Sequence, residues 1–199
     1  MDSAFEYFRQ NISIIENALR SVKKSKLESL LDKCISALNA DKKIIVTGLG
    51  KNIPVCQKFV STMISMGLNA CFLDASSALH GDIGMLRQGD LVIILTKSSS
   101  TEEIVNLVQA LKNRTVSYWI ITNNKNGTVA QNNENILLVD LEHEGDMWNI
   151  IPNNSTTVNL IILQTIAIRI SEILKLSLKN DFKPNHPGGA IGTELYNEN

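Results

Sequence analysis

The sequence holds only three cysteines, Cys34, Cys56 and Cys71, with no CxxC pair among them. That excludes a disulfide framework and points to free thiols buried in helices and strands. An excess of one charge is also lacking: 19 Lys and Arg face 20 Asp and Glu, a net charge of -1. Neither nucleic acid nor an anionic membrane surface is therefore the expected partner. Residues Met1 to Gln10 lack the basic start and apolar stretch of a signal peptide, so the expected location is the cytoplasm. The longest apolar stretch, Val158 to Leu176, is broken by Asn159, Gln164, Arg169, Ser171 and Glu172, which suits a buried or interface helix better than a bilayer span. No internal repeat, low-complexity tract or Pro/Gly/Ser-rich linker divides the chain, so residues 1–199 are expected to form one domain.

Five short runs rich in β-branched and aliphatic residues read as strands: Ile44–Thr47, Ala70–Leu73, Leu91–Thr96, Val116–Thr122 and Ile136–Leu141. They lack the alternation of half-exposed strands, which is the mark of strands covered on both faces. The segments between them have helical spacing, so the pattern is α/β with a five-stranded parallel sheet flanked by helices. The expected helices are Ala4–Val22, Lys26–Ala40, Ile53–Ser65, Glu102–Asn113 and Ser155–Leu176, the last two capped by Thr101 and by Asn154 or Ser155. The two helices within 4–40 precede the sheet and pack on it or on a partner subunit. The tail after Gly192 is expected to be mobile.

In such sheets, ligands bind outside the carboxyl ends of the strands. Four loops are candidates. Gly48-Leu49-Gly50-Lys51 lacks the third glycine of a dinucleotide fingerprint and the spacing of a P-loop. It is either a tight strand-to-helix turn or a turn whose amides approach a ligand beside the Lys51 cation. Thr96-Lys97-Ser98-Ser99-Ser100-Thr101 opens a helix with several hydroxyls, which suits a phosphate dianion as well as it suits an ordinary capped loop. Glu102, Glu103, Glu142, Glu144, His80, His143 and His186 are the available acids and bases. No HxH or HExxH spacing implies a metal, and no GxSxG or Cys/His signature implies a hydrolase.

Taken together, Gly48 to Lys51, Ala78-Leu79-His80-Gly81-Asp82-Ile83-Gly84-Met85, Pro152-Asn153-Asn154-Ser155-Thr156-Thr157 and His186-Pro187-Gly188-Gly189-Ala190-Ile191-Gly192 resemble the sugar isomerase (SIS) domain of arabinose-5-phosphate isomerases over residues 40 to 192. The resemblance implies a flavodoxin-like three-layer sandwich. It also implies reversible conversion of D-arabinose 5-phosphate to D-ribulose 5-phosphate without cofactor or metal, and a homotetramer with sites shared between subunits. Supply of Kdo for lipopolysaccharide or capsule is the implied pathway. Carried over by position, the catalytic set falls on Lys51, Glu103, Glu144, His186 and His80. The family's phosphate-binding hydroxyls fall on Thr96, Ser98 and Thr101, and the expected substrate-binding set is Gly50, Asn52, Thr96, Lys97, Ser98, Thr101 and Ser155. Relatives usually continue into a paired CBS module, whereas this sequence ends shortly after the His186 to Gly192 element, so a stand-alone form is expected. Three departures stand out: Ser99 replaces a glycine and Lys97 adds a charge in the phosphate turn, Ser77 replaces a glutamate, and Asn52 replaces a serine. Two rivals remain, a non-catalytic phosphosugar sensor and an isomerase for another sugar phosphate. Retention of Glu103, Glu144 and His186 argues against the sensor.

Overall fold

A computed structural model of the protein describes residues 3–131 and 133–197. Strands β1 (Ile44–Gly48), β2 (Ala70–Asp74), β3 (Leu91–Thr96), β4 (Ser117–Thr122) and β5 (Ile136–Leu138) form one parallel sheet in the order β2-β1-β3-β4-β5. The continuous apolar runs follow from helices on both faces. Ile44, Val46, Leu91, Ile93, Leu95 and Ile121 point into one layer, formed by α2 (Lys24–Asn39), α3 (Asn52–Ser65) and α6 (Asn154–Ile173). Ile45, Val92, Ile94 and Ile120 point into the other, formed by the short α4 (Ala75–Ala78) and α5 (Glu102–Lys112). Each inward side chain removed from water contributes about 1.5–3 kcal/mol, so both layers are needed to hold the sheet.

Helix α1 (Ala4–Ser21) starts at a capping box: Ser3 Oγ accepts from the Glu6 amide, and the Glu6 carboxylate accepts from the Ser3 amide at 2.7 Å. Its second half joins the core through Ile15, Ala18 and Leu19. Its first turns do not, and Phe5, Phe8 and Ile12 lie exposed along one face. Helix α6 is long and apolar enough to cross a membrane by length and composition, yet Val158, Ile162, Ile166 and Ile170 lie buried at four-residue spacing against the sheet layer.

Three expectations need correction. The last strand ends at Leu138 rather than Leu141, because its partner β4 ends opposite it at Thr122 and leaves nothing to pair with. The tail expected to be mobile after Gly192 continues as α7 (Gly189–Asn197), where the Lys183 ammonium sits 4.4 Å from the centroid of the Tyr196 ring. The residue that caps α6 is Asn153, not Asn154 or Ser155, and its side chain makes no cap bond. The cysteines behave as expected of buried thiols: Cys34 and Cys56 are buried and their pKa values are pushed up to about 12, while Cys71 is half-buried.

Candidate functional site

The chain leaves β1 toward β2 on one side of the sheet and returns to β3 on the other. The connections that leave the paired carboxyl ends of β1 and β3 therefore run in opposite directions and open a crevice between them. A cleft of about 540 Å³ occupies this place, within the usual size for a small-molecule site. It is lined from the β1 side by Leu49, Gly50, Lys51 and Asn52 and from the β3 side by Leu95 to Ser98 and Thr101. Two cations, Lys51 and Lys97, line it, and no carboxylate does. That balance suits an anion.

The turn after β1 is shaped by its glycines. Gly50 has φ 56°, a left-handed conformation that glycine adopts freely. A Cβ at Gly48 would meet Asn52 Cβ at 2.9 Å and the Leu95 carbonyl oxygen at 3.1 Å, so β1 and β3 close up only around a bare backbone. Asn52 is held by Asn159, which is buried in α6 and donates to Asn52 Oδ1 at 3.0 Å.

The turn after β3 is built on its own hydroxyls. Thr96 Oγ1 accepts from the Ser99 amide at 3.2 Å, and Ser98 Oγ accepts from the Ser100 amide at 3.2 Å. Ser98 Oγ and Thr101 Oγ1 face each other at 3.2 Å at the N-terminus of α5, and Thr101 makes no cap bond of its own. Ser99 is buried at φ 57° with its hydroxyl bonded to Thr122 Oγ1. The position where relatives carry glycine thus keeps the glycine backbone conformation, and the extra side chain is tied down inside. Ser98 and Thr101 present two hydroxyls at the positive end of a helix dipole.

Lys97 adds its charge to the cleft wall, where its side chain stays partly exposed, and is also paired behind that wall. Its Nζ lies 2.6 Å from Glu144 Oε1, while the Glu144 side chain is fully buried. The other oxygen, Oε2, accepts from the Asn153 and Ser155 amides at 3.0 and 2.9 Å. Glu144 therefore satisfies the first amides of α6 in place of a side-chain N-cap. Burial pushes its pKa up, but the bonds from Lys97, Ser155 and Asn153 outweigh burial and hold it below the ordinary carboxylate value.

Of the expected site residues, Gly50, Lys51, Asn52, Thr96, Lys97, Ser98, Thr101 and Ser155 come together around the cleft. Glu144 stands one layer behind, covered by Lys97 and Ser155. Glu103 is exposed on the first turn of α5 and does not line the cleft. His80, exposed after α4, does not line it either. His186 lies near the far end of α3. Its neighbour Asn185 donates to the Ser65 carbonyl at 3.4 Å, at the end of α3 opposite the cleft, and that 14-residue helix spans ~20 Å. The His186 ring stacks on Phe182 at 3.9 Å, and its Nδ1 lies 2.8 Å from the Phe182 carbonyl oxygen.

Sequence reasoning missed Asn123 and Asn124, which line the cleft from the end of β4. Asn124 Nδ2 donates to the Ser98 carbonyl at 3.0 Å and so ties the β4 loop to the hydroxyl turn. Their position directly after a buried strand was the available signal. Among the described residues, no group of three His, Cys, Asp or Glu side chains is placed to hold a metal ion.

Comparison with known proteins agrees with this architecture. The chain is 36% identical over 158 residues to arabinose 5-phosphate isomerase KpsF of Escherichia coli, covering 79% of this chain and 50% of that one. It is 31% identical over 198 residues to arabinose 5-phosphate isomerase KdsD of Francisella tularensis, covering 98% and 59%. The chain spans 50% to 60% of the length of curated relatives of this name. In structure it is similar to an E. coli CFT073 protein solved in complex with arabinose 5-phosphate, with a TM-score of 0.80, 24% identity and coverage of 94% and 100%. It is also similar to phosphoheptose isomerase GmhA of Neisseria gonorrhoeae, with a TM-score of 0.68, 17% identity and coverage of 84% and 96%. These two likenesses concern the fold. Residues 37–169 match the SIS domain, and the chain belongs to the SIS-domain family.

Proposed function

We propose that this protein is an aldose-ketose isomerase that interconverts D-arabinose 5-phosphate and D-ribulose 5-phosphate through an enediol. The observation that carries the reading is the cleft itself: Ser98 and Thr101 pair at the head of α5, and, among the described residues, Lys51 and Lys97 are the charged side chains on its walls. The sugar phosphate anchors by its dianion at the hydroxyl turn, with the sugar carbons directed toward Lys51 and Asn52. Proton transfer between neighbouring carbons then needs a base, a cation for the developing enediolate and exclusion of water. Lys51 is the cation. Glu144, from behind the cleft wall, shares the proton handling with His186, and Glu103, on the first turn of α5 outside the cleft lining, orients catalytic groups.

His186 does not line the cleft of its own chain, so in this reading a neighbouring copy supplies it for proton transfer, and His80 assists ring opening in the same way. A homotetramer with shared sites fits the exposed apolar residues Phe5 and Phe8 on α1, at 60% and 59% exposure, and Met147, Trp148 and Ile150 in the loop leading to α6. Relatives named as arabinose 5-phosphate isomerases support the substrate, and a role in supplying Kdo belongs to the same proposal.

A second reading has an observation of its own. No histidine lines the cleft of the single chain and Lys97 covers Glu144, which describes a phosphosugar sensor equally well. Incubation of the protein with arabinose 5-phosphate, and separately with sedoheptulose 7-phosphate, while following exchange of the C2 proton by NMR, separates the readings. Exchange with the first alone is expected. Exchange with the second alone would reassign the substrate, and binding without exchange would make the protein a sensor.

A further inference from the structure

The phosphate turn carries one charged side chain, Lys97, and it is bound to a residue outside the cleft. Lys97 lines the cleft and its side chain is 44% exposed, so the ammonium sits at the boundary between the site and the interior. Behind it, Glu144 has Oε2 committed to the Asn153 and Ser155 amides and can offer only Oε1, which the ammonium covers. A dianion anchored by the hydroxyls of the neighbouring Ser98 and by Thr101 would stand within the sweep of the same flexible four-carbon stem. The ammonium has three donors and no acceptor, so a phosphate with two charges competes with a carboxylate for it.

We propose that Lys97 is a positioning residue that couples phosphate occupancy to Glu144: a phosphate bound at Ser98 and Thr101 draws the ammonium off Oε1 and uncovers the carboxylate toward the cleft. The coupling rests on the reading of the cleft as a sugar-phosphate site. Glu144 is held as a covered, unreactive anion while the site is unliganded. When the cation leaves, the buried carboxylate loses its main compensating charge and binds a proton more readily. A ligand without a phosphate leaves the pair closed.

Competition gives the two halves of the ion pair opposite signs. Calorimetric titration of inorganic phosphate into wild type, Lys97→Met, Lys97→Arg and Glu144→Gln at neutral pH reads it directly. Lys97→Met is expected to weaken phosphate roughly tenfold, the weight of one charge-assisted hydrogen bond, and Lys97→Arg to stay near wild type. Glu144→Gln removes the competitor and is expected to bind phosphate more tightly than wild type. A merely structural ion pair would weaken binding when either half is lost. Equal affinity in wild type and Lys97→Met, or weaker binding by folded Glu144→Gln, overturns the proposal. Should Glu144→Gln fail to fold, the ratio between Lys97→Met and Lys97→Arg decides alone. Turnover of arabinose 5-phosphate by wild type is measured alongside. Its absence with the affinity pattern intact overturns the isomerase reading and leaves the coupling standing, whereas turnover with equal affinities overturns the coupling alone.

Discussion

Ser99 packs so closely on Gly127 that no side chain fits at position 127. A Cβ on Gly127 would lie 2.5 Å from Ser99 Cβ and 2.2 Å from the Ser98 carbonyl oxygen. The turn that carries Ser98 is therefore pressed against the bare backbone of the β4 loop, and Val129 donates to the Ser99 carbonyl at 2.9 Å to close it. Gly127→Ala is expected to lower stability by about 2–3 kcal/mol in urea unfolding, since the nearest obstacle is backbone. Ser99→Gly would not rescue it, because the Ser98 carbonyl remains. Alone, Ser99→Gly relieves a left-handed backbone at about 1 kcal/mol and loses the bond to Thr122 at about the same, so its unfolding midpoint should stay close to wild type. A midpoint unchanged in Gly127→Ala would show that the turn shifts easily.

Glu144 gives the protein an acid-sensitive element. Its folded pKa lies below the ordinary carboxylate value of 4.5, so its stabilisation is fully present above that pH and is lost as pH falls through the depressed folded value. Stability measured by urea unfolding should therefore decline as pH drops below about 4.5. In Glu144→Gln that part of the slope should vanish, while stability at neutral pH falls by about 1–3 kcal/mol through the lost pairing and capping. An identical slope in both proteins would mean that other carboxylates carry the acid transition.

Much of the fold was legible because its physics is local. Strands covered on both faces must be apolar throughout, and runs such as Leu91–Thr96 can hardly be read otherwise. The turns after β1 and β3 were legible because ligands gather at strand ends. Asn123 and Asn124 obey the same rule, but asparagines between two strands look like ordinary turn residues, and nothing local shows that Asn124 reaches Ser98. The partner of Lys97 was illegible for a similar reason: Glu144 lies far along the chain and meets it only through packing of α6 on the sheet. His186 was read by resemblance as a site residue, and only the length of α3 shows how far it stands from the cleft of its own chain.

Asn52 and Asn159 offer a test of how the cleft wall is held. Their bond at 3.0 Å fixes a cleft residue from a buried position in α6. Asn159→Leu removes the donor and leaves Asn52 free to rotate, whereas Asn52→Ser restores the residue usual in relatives but cannot reach Asn159. Both variants should raise the KM for arabinose 5-phosphate several-fold, and Asn159→Leu should do so although it never touches the sugar. A KM unchanged in Asn159→Leu would mean that Asn52 is positioned by the turn alone.

If His186 acts in a neighbouring copy's cleft, the two ends of the molecule can be broken in different chains and mended by mixing. His186→Ala alone should lose about 10²–10⁴-fold in kcat/KM, the usual effect of removing a general acid or base. Lys51→Met should lose a comparable factor by removing the cation from the other half of the site. Co-expressed with separate affinity tags and purified as mixed assemblies, the two variants should regain activity well above either parent, because some clefts then pair an intact Lys51 with an intact His186. Sites contained within one chain would give no such recovery, since every cleft would carry one defect or the other. The distance along α3 makes recovery the expected result, and failure to recover with His186→Ala inactive would require His186 to act on its own chain through a rearrangement of residues 178–197.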